Sequence, residues 1–226
     1  MSEDSLWTTP SFSSPLMPLG LGRGSLPGWG GVGPVVYCSA PSLAVTKEDL
    51  VSFLLATLES AGAITHPQEL RPRFRLERGP LGQPLLRLGG KPGPAVSFSE
   101  AGGRLYGAVS LTGRVGVDAT RPEEFTPPYP LARVFRSGEF NLALRLTENR
   151  PRQAAALLWA LKEAALKALG VGFHRLAPRE VVVGEPEPGP GGRLFPVQAD
   201  RTVLTWAAPR EGGWLAIGLW RPEVSA

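Results

Sequence analysis

Pro151-Arg-Gln-Ala154-Ala-Ala-Leu-Leu-Trp159-Ala-Leu-Lys162-Glu163-Ala-Ala-Leu-Lys167-Ala-Leu-Gly170 is the stretch on which the reading of this chain turns. Proline suits the first turn of a helix and glycine its C-terminal cap, so one helix is predicted from about Pro151 to Leu169. Between Ala154 and Leu169 only Lys162, Glu163 and Lys167 carry charge, and every other residue is Ala, Leu or Trp. A helix that is apolar on all sides is a buried helix. With about 3.6 residues per turn, Ala156, Trp159, Ala160, Leu166 and Lys167 surround Glu163 on its own face. Glu163 and Lys167 could be a solvated i,i+4 pair contributing about 0.3–0.5 kcal/mol. That reading needs a polar stripe, and the helix has none. The other reading is a buried carboxylate that must be paired, hydrogen-bonded or metal-bound, because burying it ionised and alone costs several kcal/mol. A carboxylate and an ammonium on one face suit a place where a metal and a phosphate meet.

Outward from this helix, elements of both kinds appear. Val35–Cys38 reads as a strand, and 46–61 as an amphipathic helix with Thr46 as N-cap and Leu50, Phe53, Leu54 and Leu58 as its buried stripe. Ala95–Ser99 reads as a strand. Leu105–Leu111 and Arg114–Asp118 read as a hairpin about Thr112-Gly113, and Val203–Ala207 with Trp214–Trp220 as a closing hairpin. Residues 131–135 lead into a polar stretch before Pro151. Hairpins outnumber crossovers, so the expected class is α+β. Residues 1–34 hold 7 Gly, 5 Pro and 6 Ser without hydrophobic periodicity and read as an unstructured leader. Gly28–Gly33 matches G-x-G-x-x-G, but a strand-like segment follows it where a dinucleotide fold needs a helix.

With 226 residues the chain is long enough for one large domain or two small ones. Cys38 is the sole cysteine, and the only histidines are His66 and His174. A disulfide framework, a thiolate cluster and a His-rich zinc site are thereby excluded. No stretch reaches 18 consecutive apolar residues, so no spanning helix is expected. The formal charge of +4 favours an acidic partner or an anionic substrate. Arg71, Arg73, Arg75 and Arg78 form a basic run that reads either as a solvated edge strand or as a phosphate contact. It lacks a nucleic-acid recognition motif and regular aromatic interleaving, so nucleic acid is not expected as a partner.

The segment Trp159–Gly170 resembles the W-x-x-K-E-A-x-x-K-x-x-G signature of the 4′-phosphopantetheinyl transferases. Val115-Gly116-Val117-Asp118 resembles that family's strand ending in G-[VI]-D. Ala95-Val-Ser-Phe-Ser99-Glu-Ala-Gly102 stands in the place of its S-H-S segment, and Leu81-Gly82-Gln83-Pro84 where it often has G-[KR]-P. The resemblance covers roughly residues 80–220 in a surfactin-type layout. It implies two similar α/β halves packed as a pseudo-dimer, the first abbreviated, over 35–112 and 113–226. It implies transfer of the phosphopantetheine arm of coenzyme A to a serine of an apo acyl or peptidyl carrier protein, releasing adenosine 3′,5′-bisphosphate. It further implies Mg²⁺ held by Asp118 and Glu163, Glu163 helping to deprotonate the serine, Lys167 on the coenzyme phosphates, and Lys162 and Ser99 as further coenzyme contacts. A cytoplasmic monomer serving fatty acid, polyketide or nonribosomal peptide synthesis goes with that family.

The chain departs from the pattern at three places. Thr120 stands where the family commonly has a second carboxylate, Glu100 where it has the histidine that meets the 3′-phosphate, and Gln83 where it has a basic residue. Lys47, Arg73 or Arg75 could compensate. These departures keep a second reading open, a catalytically degenerate relative that binds carrier proteins.

Overall fold

The structure, a computed structural model, describes residues 22–60 and 74–222. Its class is α+β, with antiparallel sheets and few helices. The first sheet has the order β1-β2-β7-β6, from Gly22–Leu26, Val35–Pro41, Arg104–Ser110 and Ala95–Ala101. Helix α1, Lys47–Ser60, lies on it. The Thr46 hydroxyl accepts from the Asp49 N–H at 3.1 Å and the Asp49 carboxylate accepts from the Thr46 N–H at 2.8 Å, the reciprocal cap that starts the helix. Leu50, Leu54 and Leu58 pack with Val36, Cys38, Val96 and Val109 of the sheet. Burial lifts the Cys38 thiol to about 12, so this cysteine is an inert core residue. A separate small sheet of β3 (Phe74–Arg78), β4 (Pro84–Leu88) and β5 (Lys91–Pro92) packs on the same core through Leu86, and Arg75 and Arg78 lie exposed on β3.

The second large sheet has the order β10-β11-β12-β13-β8, with β9 (Val182–Val183) paired to β11. Its strands are Glu187–Gly189, Gly192–Gln198, Thr202–Arg210, Gly213–Trp220 and Arg114–Thr120. The β12–β13 hairpin forms as its sequence predicts, turning at Glu211-Gly212, both with positive φ. Helices α2 (Leu131–Val134), α3 (Ser137–Leu146) and α4 (Pro151–Leu169) follow β8. Of α4, Ala154, Ala155, Ala156, Leu157, Leu158, Ala160 and Leu161 are all buried, and Gly170 closes the helix in the left-handed conformation. The sheet's opposite face packs on the first sheet through Val115, Val117, Trp206, Ile217 and Tyr106.

Three expectations change. The leader expected over 1–34 does not run through residue 34, because Gly22–Leu26 is an edge strand paired with β2. Leu26 and Val32 are buried, and the Trp29 indole donates to the Leu204 carbonyl at 2.8 Å. The strand looks like linker because Gly24 leaves room for the ring of Tyr37 across it. Gly28–Gly33 is then a loop between two antiparallel strands, not a cradle at a helix N-terminus. Residues 1–21, and with them His66, Arg71 and Arg73, lie outside the described residues. Second, β7 and β8 are not a hairpin: β7 pairs with β2 and β6, and β8 with β13. The chain changes sheet at Thr112-Gly113, where a side chain on Gly113 would meet Val32 and the Trp220 carbonyl. The hairpin is instead β6–β7, turning at Gly102-Gly103 with φ of 57° and 73°. Third, the polar stretch before Pro151 contains α3, begun by the Glu139 carboxylate accepting from the Arg136 N–H at 2.9 Å.

Glu139 also explains Lys162. The Lys162 ammonium, fully buried, donates to Glu139 Oε1 at 2.5 Å and to the Pro178 carbonyl at 2.8 Å. Glu139 Oε2 accepts from the Val183 N–H at 3.0 Å. Burial pulls the Lys162 pKa down and the Glu139 partner pulls it back up. Lys162 therefore joins α3, α4 and β9 and is not placed to meet a coenzyme phosphate, contrary to expectation. Two glycines seat the same helix from the other side. Gly116 and Gly218 are register partners on β8 and β13. A Cβ on Gly116 would overlap the Ala164 carbonyl and come within 2.5 Å of the Ala168 nitrogen, and one on Gly218 would be 2.8 Å from that carbonyl.

Lys162→Met is expected to lower unfolding free energy in urea by about 3–5 kcal/mol, because it strands a buried carboxylate. A variant of unchanged stability and weakened coenzyme binding would return Lys162 to the site. Gly116→Ala is expected to cost at least about 1–3 kcal/mol by the same measurement, since backbone rather than a side-chain tip must yield.

Candidate active site

β6 and β8 are the facing edges of the two large sheets, and they meet without a backbone ladder. The joint is made by side chains. The Ser97 hydroxyl accepts from the Val117 N–H at 3.0 Å, and the Ser99 hydroxyl accepts from the Ala119 N–H at 3.2 Å. Both strands have a side-chain period of two, so serines at alternate positions satisfy amides at alternate positions. The peptides of Val117 and Ala119 flank Asp118, whose side chain is thereby held at the seam.

The Asp118 carboxylate is 6% exposed and almost wholly directed by protein donors. Oδ1 accepts from Ser99 at 2.9 Å and from the Lys167 ammonium at 2.7 Å, and Oδ2 accepts from the Thr120 hydroxyl at 2.8 Å. Thr120 itself is 2% exposed. Lys167 reaches the seam from α4 because Gly116 lets the helix backbone lie directly on β8. Besides Asp118, its ammonium donates to the Val117 carbonyl at 3.2 Å and, more weakly, to the Phe98 carbonyl at 3.5 Å. Its three protons are thus shared among both strands and the carboxylate.

Glu163 stands one helical turn before Lys167, half-buried, with no hydrogen bond or ion pair to another described residue. Desolvation raises its pKa, the nearby Asp118 charge raises it further, and Lys167 offsets part of that. A second carboxylate, Glu163, thus lies within electrostatic reach of Asp118, and it has no hydrogen-bond or ion-pair partner among the described residues. Among the described residues no group of three or more His, Cys, Asp or Glu side chains comes together. The donors are therefore two hard carboxylates, one fixed by hydroxyls and one open. That set fits a divalent cation that completes its shell with water and substrate oxygens.

Of the expected site residues, Asp118, Glu163, Lys167 and Ser99 come together, and Lys162 does not. Ser99 differs in its duty: its one proton goes to Asp118 and its oxygen takes an amide, so it orients the carboxylate rather than offering a free donor to a phosphate. Glu123 and Glu124 do not join Asp118: Glu124 caps the turn through the Arg121 N–H at 2.8 Å, and Glu123 lies 3.5 Å from the Arg121 guanidinium. Glu100 is exposed, and Gln83 lies beside Gly170 at the end of α4. Trp159 packs on Phe125 and Phe173 and His174 is exposed in a loop. Ser97 and the Gly116–Gly218 pair were not singled out from sequence, and Thr120 was noted as a lost carboxylate rather than as a donor to Asp118. The short Gly116-Val-Asp-Ala-Thr120 run signals Gly116 and Thr120 but does not reveal what lies across it.

No helix among the described residues is long and apolar enough to cross a membrane. A search of curated proteins finds no match to the chain. Residues 114–207, which contain Asp118, Thr120, Glu163 and Lys167, match the model of the 4′-phosphopantetheinyl transferase superfamily.

Proposed function

We propose that the protein transfers the 4′-phosphopantetheine arm of coenzyme A to a serine of an apo acyl or peptidyl carrier protein, releasing adenosine 3′,5′-bisphosphate. The observation that carries the reading is the Glu163 carboxylate, without a partner among the described residues, within electrostatic reach of an Asp118 that Ser99, Thr120 and Lys167 hold at the seam between the sheets. The serine oxygen attacks the phosphorus nearer the pantetheine, the bond from that phosphorus to the bridging pyrophosphate oxygen breaks, and the serine proton must leave. Asp118 and Glu163 would hold Mg²⁺, which supplies positive charge to the phosphate oxygens as the bond breaks. Glu163 would also help to take the serine proton, through whichever of its oxygens the cation leaves free. Lys167 fixes Asp118 and adds positive charge beside the phosphates; its weakest partner, the Phe98 carbonyl, is the one it would exchange for a phosphate oxygen. The two large sheets, each carrying one long helix, support two similar halves in one chain, with the coenzyme between them and a monomer as the working unit. Coenzyme and carrier place the reaction in the cytoplasm. The chain's positive charge suits the acidic surface of such carriers.

A second reading, a carrier-binding relative without activity, is favoured by Thr120 in place of that strand's second carboxylate and by the exposed Glu100. Intact mass spectrometry of apo carrier proteins incubated with the protein, Mg²⁺ and coenzyme A decides between them. The expected result is a gain of one phosphopantetheine arm, lost in Glu163→Gln. A folded protein that modifies no carrier in a broad panel favours the second reading.

Glu163→Gln is also expected to stabilise the free protein at neutral pH by about 0.5–2 kcal/mol in urea titrations, as removing a strained functional group commonly does. The Glu163 pKa is raised on folding, so between the unfolded value and that raised value the folded state keeps a proton that the unfolded state releases. Wild-type stability from this group is thus lost as pH rises through that window. The advantage of the Gln variant should shrink toward zero below the ordinary carboxylate value of 4.5, where both side chains are neutral.

A further inference from the structure

A groove runs between the start of α4 and the β12–β13 hairpin, at the end of α4 away from Lys167. Its wider part, about 360 Å³, lies along the turn Glu211-Gly212 and is lined by Gln153 and Trp214. Past Trp214 it continues into a narrower part of about 130 Å³ lined by Leu157 and Phe195, both buried. Arg150, Arg193 and Arg210 stand exposed along it. Arg150 is paired with Glu148 at 3.0 Å, whereas Arg193 and Arg210 have no carboxylate partner among the described residues. Glu211, the one carboxylate among the lining residues, is committed to Arg104 at 2.7 Å and to the Tyr106 hydroxyl at 3.1 Å. The charge left unanswered here is positive, and it borders an apolar floor.

The start of β1 is tied to the same hairpin turn. A Cβ on Gly22 would lie 3.0 Å from Ser39 Oγ and 3.8 Å from Arg104 Nη2. That Nη2 donates to Ser39 Oγ at 3.0 Å, while Nε of the same guanidinium meets Glu211. One arginine therefore joins the strand that residues 1–21 lead into with the turn that edges the groove. Residues 1–21 carry Glu3 and Asp4 but no Lys or Arg, and Leu6-Trp7 follows the acidic pair closely. The chain from Trp7 to Gly22 can span about 50 Å, well beyond the roughly 28 Å length of α4. A tether of this length also supplies an effective concentration on the order of millimolar, so a contact too weak for a free peptide suffices.

We propose that residues 1–21 dock in this groove of their own chain, with Glu3 and Asp4 against Arg193 and Arg210 and Leu6 and Trp7 over the apolar floor. The contact is independent of the transferase reading. Opposite charges set its register, and burial of the leucine and the indole holds it.

Paramagnetic broadening in the isotope-labelled full chain is the test, with a nitroxide on Ser5→Cys. Cys38, buried and with its thiol lifted to about 12, stays unmodified. The expected result is loss of the Gly212 amide and Trp214 indole signals, and their return when the nitroxide is reduced, while Gly170 at the far end of α4 stays sharp. Glu3→Lys with Asp4→Lys, a change outside the described fold, should restore the groove signals. Adding Arg193→Glu and Arg210→Glu to that variant should remove them again. Groove signals that stay sharp beside the oxidised label, or a loss indifferent to charge reversal, overturn the proposal. Broadening that appears only when nitroxide-bearing chains are mixed with isotope-labelled ones overturns it too, and makes a second copy the occupant.

Discussion

Everything at the centre of this protein depends on two serine hydroxyls that replace a piece of β-ladder. Sheets end in rows of amides that must be satisfied or left to water. Here the two large sheets turn their edges toward each other, and Ser97 and Ser99 of β6 take the amides of Val117 and Ala119 of β8. A continuous ladder would have brought backbone against backbone and closed the space beside Asp118. The side-chain joint keeps the strands apart by the length of a serine, and that gap lets Lys167 reach carbonyls on both sides. Stability and chemistry share one joint. The lysine that pins the strands is also the cation beside the carboxylates.

The seam works only if α4 comes close, and closeness is set by Gly116 and Gly218, facing each other in register. This gives the glycine of Gly116-Val-Asp118 a physical cause. It sits two residues before the aspartate on the same face of the strand, so the surface that receives the helix backbone is continuous with the surface that presents the carboxylate. Moving the helix outward by a methyl group would lift Glu163 and Lys167 away from Asp118 together.

What could be read in the sequence follows from this geometry. The buried helix, its charged residues and the strand ending at Asp118 were legible because each rests on a local period of one element. Lys162 was misplaced for the complementary reason: its partner Glu139 lies in a helix whose start was masked by Ser137, Gly138 and Arg136. The β7–β8 hairpin misled because Thr112-Gly113 has turn chemistry, yet the glycine serves a close approach to Val32 and Trp220 between sheets. Gly24 misled similarly, since a glycine that accommodates the Tyr37 ring reads like linker. In each case the residue type was informative and its reason lay across the fold, where periodicity says nothing.

Lys162 and Glu163 are consecutive, and their different fates show how α4 divides its labour. One residue turns a helix by about 100°, enough to send Lys162 toward α3 and Glu163 toward the seam. On the first side the charge is fully enclosed and completely answered, by Glu139 and a carbonyl, and the pair locks the helix's rotation about its axis. On the second side the charge has no bonded partner among the described residues, is pressed by Asp118 and is only partly offset by Lys167. A lone carboxylate held this way would be relieved by turning the helix and swinging into water, and the buried lock opposes that motion. The energy that makes Glu163 receptive to a proton or a cation is therefore stored against Lys162, which need not touch substrate to matter for the site.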